Sequence, residues 1–280
     1  MRKLTFLISI VLFSTLITSC GKEHSNPGTD PTDTTGVVTD ADATNFINAA
    51  KITDTVQKQA IQSLVKDLKD SSLWGKFKAI YPFVGGTEAS TKMNLKDPRD
   101  LDEAFRITYH GTPVIAATGV LFPTTSDYAD THLYDSLMTY NDNSISFFSR
   151  TQNTVSGYDM GCTDNVEPWN QLTIYHESNG SGYFGFTIWQ PTPDSTKGLF
   201  MLSSTATKSL YFHNGVVTIS KEESPVNKYT KFPMLIGACL NASSVGQREC
   251  AFSSIGKGFN EAEAATLYNI VAKFQNTLKR

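Results

Sequence analysis

Apolar residues recur at helical spacing over residues 53–69. Val56, Ala60, Ile61, Leu64, Val65 and Leu68 share one face, and Thr53 or Asp54 can cap the first turn. A second, shorter helix is expected over 72–81, with Trp74, Phe77, Ile80 and Tyr81 on its apolar side and Pro82 as its stop. After Gly85-Gly86 the period changes. From Asn94 to about Ser254 the chain becomes a succession of short runs rich in Val, Ile, Thr, Phe and Tyr, separated by Gly, Asn, Asp, Ser and Pro. Strands are expected over 104–109, 133–140, 144–150, 171–176, 183–189, 198–202, 209–213 and 216–220, then over two Cys-bearing runs, 234–240 and 250–255. Asn214-Gly215 is the dipeptide of a type I′ hairpin, whose two central residues both need positive φ. The end is helical again over 261–278: Asn260 with Glu263 makes a capping box, and Leu267, Ile270, Val271 and Phe274 form the stripe. About ten strands with no helices between them predict a mostly β protein. Its architecture would be an antiparallel sandwich flanked by N-terminal helices (about 53–81) and a C-terminal one.

The first residues follow another pattern. Arg2 and Lys3 precede an apolar run, 4–16, that is too short for a spanning helix. Ile17-Thr18-Ser19-Cys20 then matches a bacterial lipobox, so residues 1–19 are expected to be a lipoprotein signal peptide and Cys20 the acylated first residue of the mature chain. Two or three acyl chains hold a protein on a membrane stably, whereas one does so only marginally. Residues 20–42 are rich in Thr, Asp, Gly and Pro with almost nothing to bury, the composition of a flexible tether. Residues 43–280 remain as one domain. Together these features place the chain in the cell envelope, on the outer membrane or cell surface, touching membrane only through its lipid.

Without Arg2 and Lys3, 22 of the 24 basic residues face 27 acidic ones, a net charge of −5. A nucleic-acid-binding surface would need the opposite balance, so no nucleic-acid partner is expected. Beyond Cys20 there are Cys162, Cys239 and Cys250, an odd number without zinc-site spacing. If the runs carrying Cys239 and Cys250 pair antiparallel, the two sulfurs would meet in a disulfide; the alternative is two buried thiols.

Three stretches together resemble a known module. They are Asn94-Leu-Lys-Asp-Pro-Arg-Asp-Leu-Asp-Glu-Ala-Phe-Arg106, Phe147-Phe-Ser-Arg-Thr151, and Arg248-Glu-Cys-Ala-Phe-Ser-Ser-Ile-Gly256 with its trailing helix. The module is found in phage tail-associated proteins and bacterial surface lipoproteins and is related to the concanavalin A-like (laminin-G-like) jelly roll. With the leading segment from Phe46 to Gly86, the likeness covers about 46–280. It implies two curved antiparallel sheets, with glycan or receptor binding as the usual use, and it transfers no ligand residue.

Catalytic patterns are scarce. Glucanases on this fold carry Glu-x-Asp-x-x-Glu on one strand, because retaining hydrolysis needs two carboxyls about 5–5.5 Å apart. Glu88, Glu103, Glu167, Glu177, Glu222 and Glu249 all lack those partners. Gly-x-Ser-x-Gly, His-Glu-x-x-His and a phosphate-cradling Gly loop are missing too. No cofactor is expected. Two acidic groups could take calcium: Asp97, Asp100 and Asp102 beside Arg99, and Asp159, Asp164 and Glu167 in a looser loop. The first reads better as an Asp-Pro turn whose Arg and Asp pair with each other. His110, His176 and His213 stand singly at strand ends and read as solvated edge residues.

Aromatic residues matter for a sugar binder, because a ring face stacks on the apolar face of a pyranose. Trp169 follows Pro168 in a loop, and Trp189 precedes Gln190-Pro-Thr-Pro193. Within 183–189, Tyr183, Gly185, Thr187 and Trp189 alternate with Phe184, Phe186 and Ile188, so Trp189 shares the more polar face with Tyr183. Trp189, Trp169, Tyr183 and Tyr158 are the candidate ligand contacts. Core packing is their alternative role, as it is for Trp74. The expected function is non-catalytic binding of a glycan or cell-surface polysaccharide. A glycan-cleaving enzyme on the same fold and a structural module with protein partners are its rivals.

Overall fold

The computed structural model describes residues 39–139, 141–163, 171–176, 181–183, 189–191, 195–222, 229–239 and 245–280. The compact unit runs from Thr39 to Arg280. It opens with α1 (Ala41–Ala49), capped by Asp40, whose carboxylate accepts from the Asp42 and Ala43 amides. This helix starts where composition alone reads as tether. Helix α2 (Thr55–Asp70) is capped by Asp54 and buries Ala60, Ile61, Leu64, Val65 and Leu68, the expected face. Strand β1 (Phe77–Tyr81) and the short α3 (Glu88–Thr91) follow. The predicted helix over 72–81 is therefore corrected: only Trp74–Lys76 coils, as a 3₁₀ turn, and the rest extends to pair with a central strand.

The sheets are built from β2 (Thr108–His110), β3 (Val114–Ala116), β4 (Gly119–Leu121), β5 (Tyr128–Tyr134), β6 (Asn143–Ser149), β7 (Gly157–Thr163) and β8 (Gln171–His176). A small hairpin, β9 (Ser181–Tyr183) with β10 (Trp189–Pro191), comes next. Then come β11 (Gly198–Thr205), β12 (Lys208–His213), β13 (Val216–Lys221), β14 (Pro233–Ile236) and β15 (Glu249–Gly256), before α4 (Glu261–Thr277) closes the chain. One sheet has eight strands in the order β13-β12-β11-β6-β15-β4-β3, with β1 also on β15; the other has five, β2-β5-β14-β7-β8. All pairings between these strands are antiparallel among the described residues, and one isolated parallel bridge joins Tyr158 to Val245. The chain passes repeatedly from one sheet to the other, between β1 and β2, β2 and β3, β4 and β5, β5 and β6, β6 and β7, β8 and β11, β13 and β14, and β14 and β15, the alternation of a jelly-roll-type sandwich.

Helices add a third layer. Between the sheets lie Tyr81, Ile145, Phe147, Phe200, Leu202, Tyr211 and Ile255 from one side and Met160, Leu172, Ile174, Met234 and Ile236 from the other. On the back of the larger sheet, Ile80, Leu199, Met201, Leu210, Phe212 and Phe252 pack against α1, α2 and α4. Both faces of that sheet are thus buried. Its central strands accordingly carry large apolar side chains on both faces, with Phe147 inward and Phe148 toward the helices. Each large side chain so covered contributes roughly 1.5–3 kcal/mol. The Asn214-Gly215 turn forms as expected, with φ of 52° and 77° between the paired His213 and Val216. Asn260 and Glu263 complete the capping box of α4.

The Cys-bearing runs do not pair. β14 lies in the five-stranded sheet and β15 in the eight-stranded one. Cys239 and Cys250 are therefore buried thiols and not a disulfide, as is Cys162. Burial pushes the Cys162 and Cys250 thiols well up.

Candidate functional site

Register decides which side chains leave the five-stranded sheet on its outer face. Ala129, Met160, Ile174 and Ile236 point into the sandwich, so their strand neighbours point away. Opposed pairs on that outer face are His110 with Tyr128, Thr108 with Asp130, Leu235 with Asp130, and Tyr158 with Tyr175. Two of them are ring pairs: His110 lies parallel on Tyr128 at 4.4 Å, and Tyr158 meets Tyr175 at 4.7 Å, tilted 59°. No helix of the described residues packs on this face.

At the β5 end of the sheet the surface sinks into an open depression of about 390 Å³, lined by Asp102, Glu103, Phe105, His132, Tyr134 and Leu137. Two 3₁₀ turns and one strand build it. Asp102–Ala104 coils once and is closed by Phe105 in the left-handed region, φ 59°. His132 interrupts β5 with φ 54°, and the β5–β14 register shifts there. Bulky residues at positive φ are costly, on the order of 1–3 kcal/mol each, and persist only where their surroundings hold them. Here the surroundings are visible. The Tyr81 hydroxyl donates to the Phe105 carbonyl at 2.6 Å, and Asn94 Nδ2 donates to the Ala104 carbonyl at 3.0 Å. His132 donates its amide to Asp130 Oδ1 at 2.7 Å, and its Nε2 lies 2.7 Å from Thr108 Oγ1 and 3.5 Å from Asp102.

The second 3₁₀ turn, Asp135–Leu137, lifts Tyr134 (42% exposed) and Leu137 (49% exposed) to the surface. Buried Asp135 pins it by accepting from the Thr230 amide at 2.7 Å. Burial raises the Asp135 carboxyl above its ordinary value, with Thr230 opposing. On the opposite rim, Arg106 donates to Asp102 at 2.9 Å and to Asp100 at 3.1 Å, and Lys92 holds Asp100 at 2.7 Å. Lys92 first, then Arg106, keeps Asp100 below the usual carboxylate range; Arg99 does the same for Asp97. The charged run of 97–106 is thus a paired scaffold, as the Asp-Pro reading expects, and it presents Asp102 and Glu103 to the depression. The resulting surface sets exposed rings beside carboxylates and an imidazole. That combination can stack on an apolar face while accepting hydrogen bonds from hydroxyls around it.

The sequence-based candidates do not line this depression. Tyr158 is half-buried and joined to Tyr175 across β7 and β8. Tyr183 and Trp189 are Cα partners in the β9–β10 hairpin. The single strand expected over 183–189 is corrected accordingly, since the chain reverses between them. Trp169, Asp164 and Glu167 lie outside the described residues. Trp74 packs against the helical core, with Lys96 Nζ 3.6 Å from its ring centroid.

Two further expectations change. Asp159 sits in β7, not in a loop, and it is buried with His176 and Arg248 at one end of the inter-sheet core. Arg248 Nη1 donates to Asp159 Oδ1 at 3.0 Å, and His176 Nδ1 lies 2.8 Å from Asp159 Oδ2. Burial alone would raise the Asp159 carboxyl; Arg248 and His176 reverse this and hold it below its ordinary value. His176 is not a solvated edge residue: its ring stands edge-on to Phe200 at 4.6 Å. His213 stacks flat on the same ring at 4.5 Å, with Nε2 2.8 Å from the Lys197 carbonyl oxygen.

No protein-family model matches the chain, and no curated protein matches it in sequence. Solved structures with a similar course include a Trypanosoma rangeli sialidase in complex with sialic acid (9% identity, 75% of this chain and 38% of that one, TM-score 0.49). Another is domain 4 of an extracellular arabinanase from Geobacillus stearothermophilus in complex with arabinotriose (15% identity, 69% and 98% covered, TM-score 0.44). A third is the receptor-binding domain of a botulinum neurotoxin C/D mosaic serotype (9% identity, 70% and 51% covered, TM-score 0.44). The chain spans about two fifths of the sialidase. Likeness this loose assigns it neither their activities nor their ligands.

Proposed function

We propose that the domain binds carbohydrate without cleaving it, and that it does so as a lipid-anchored protein of the cell envelope. One observation carries the binding site: exposed Tyr134 and half-buried Phe105 share an open depression with Asp102, Glu103 and His132. A pyranose has an apolar C–H face and a rim of hydroxyls, and this surface offers a counterpart to each. The depression is shallow, which suits a chain end or one exposed residue of a polysaccharide more than a fully enclosed ligand. Both carboxylates come from a single 3₁₀ turn, on one rim, and Asp102 is occupied by Arg106. Glycosidases instead flank the scissile bond with their acids. Trp189, Tyr183, Trp169 and Tyr158 belong to the same proposal as further ligand contacts.

A glycan-array screen of the purified protein tests the reading. Binding to a defined set of glycans, lost in Tyr134→Ala, supports it; an array without a hit, or hits indifferent to Tyr134, refutes it. The anchor rests on the lipobox at Ile17–Cys20 and has its own test. Cys20→Ala should abolish labelling by a fatty-acid analogue and release the protein from membranes.

A further inference from the structure

On the other side of the molecule, α4 does not close completely over the eight-stranded sheet. Its last turns and the ends of β6 and β11 enclose a cleft of about 460 Å³, within the usual range of small-molecule sites, roughly 300–1,000 Å³. Phe148, Tyr268 and Ala272 form an apolar wall, and Arg150, Lys197 and Arg280 supply positive charge. No Asp or Glu side chain lines it among the described residues.

The charge balance is unusual. Glu249 is engaged by Arg150, whose Nη1 donates to both carboxylate oxygens at 2.7 and 2.8 Å. Arg280 has no such partner among the described residues. Its Nε donates to Gln275 Oε1, Nη1 to the Phe83 and Ala117 carbonyls, and Nη2 to the Pro82 and Ala251 carbonyls. All those acceptors are neutral. The guanidinium is held rigidly at the cleft by five bonds to neutral acceptors, so it brings charge but no free donor. Burial first, and then Arg150, lowers the Arg280 guanidinium to about 9, with Glu249 opposing. Lys197 is exposed and brings a third positive charge. Asn214, at the hairpin turn, spends its Oδ1 on the Leu199 amide, which leaves its NH₂ as a neutral donor beside the cations.

We propose that this cleft is a binding site for a small organic anion, a carboxylate or phosphate group carried on a compact hydroxylated body. Lys197 would contact the anionic group, with Arg150 and Arg280 adding positive potential from the cleft wall, Asn214 and Asn276 would meet the neighbouring hydroxyls, and Tyr268 with Phe148 the apolar face. The site is separate from the aromatic depression and does not depend on it.

Titration calorimetry of the purified protein at low salt tests the proposal with four probes: glucuronate, galacturonate, glucose 6-phosphate and glucose. At least one charged probe should bind and glucose should not, with affinity falling as salt rises. Stronger binding of the uronates identifies a carboxylate ligand; stronger binding of the phosphate identifies a phosphate monoester. Lys197→Glu should weaken binding by about tenfold or more without shifting the melting midpoint, because Lys197 is exposed and makes a charged contact. Absence of binding by all three anions, equal binding of glucose, or indifference to Lys197→Glu would overturn the proposal.

Discussion

Arg248→Met is the most informative perturbation of the fold, because it separates a stabilising ion pair from an incidental one. Arg248 and Asp159 are almost fully buried, 2% and 1% exposed, and their side chains meet at 3.0 Å. Met preserves much of the volume of Arg but removes the charge, the bond to Asp159 and the 2.8 Å bond to the Val155 carbonyl. Breaking one half of a buried pair typically costs about 3–5 kcal/mol. For a chain of this size each kcal/mol moves the midpoint by about 2–4 °C, so the loss is about 6–20 °C. The pH dependence follows from the direction of the shift. Arg248 and His176 hold Asp159 below its ordinary value, so in the native protein its contribution is present above about pH 3.9 and is lost as pH falls through the depressed folded value. Without Arg248, burial dominates and the carboxyl moves up, and protonation then relieves the variant at a higher pH. Urea melts at pH 7 and pH 4.5 should therefore show a deficit that narrows on acidification. A deficit under about 1 kcal/mol at pH 7, or one independent of pH, would show that the pair does not carry this part of the fold.

Other outcomes follow from the same packing. Leu267 is fully buried where α4 meets α2 and the sheet, so Leu267→Ala should cost about 2–5 kcal/mol by urea melt, and an unchanged midpoint would make α4 an appendage. Reductant should leave the melting midpoint unmoved, since Cys239, just past β14, and Cys250, in β15, are both buried thiols; a drop would restore the disulfide. Burial lowers the His213 imidazole, so its contribution is present above about pH 6.5 and lost as pH falls through its folded value. The loss of stability between pH 7 and pH 5 should accordingly be smaller in His213→Gln, and an identical pH profile would contradict this.

What the sequence reveals here is what repeats locally. The stripes of α2 and α4, the Asn260–Glu263 box, and the Asn214-Gly215 hairpin all rest on residues within a few positions of each other, and all form. Residues 72–81 mislead because Trp74, Phe77 and Ile80 also fit a helix, and only pairing with β15, far along the chain, makes 77–81 a strand. His176 reads as a solvated edge residue and Asp159 as part of an acidic loop because Arg248, which offsets their burial, is 89 positions from Asp159. The depression is harder still to see. Its rings come from two 3₁₀ turns and two left-handed residues, Phe105 and His132, which follow neither period and so leave no pattern. The one available signal was the dense charge of 97–106, legible as a paired turn but not as the rim of a site. Trp169 and Trp189 stand out in the sequence as large rings, whereas no neighbour marks Tyr134.

The central claim is that exposed rings beside carboxylates at the β5 end bind sugar, and one comparison tests it most directly. Titration of the best glycan from the array into wild type and Tyr134→Ala, with thermal melts in parallel, reads binding and folding together. An anchoring ring at an interface is commonly worth about 2 kcal/mol, so affinity should fall roughly thirtyfold. The midpoint should hardly move, because the Tyr134 ring is 42% exposed and its loss leaves no core cavity. Equal affinity in the two proteins, with both fully folded, would contradict the account.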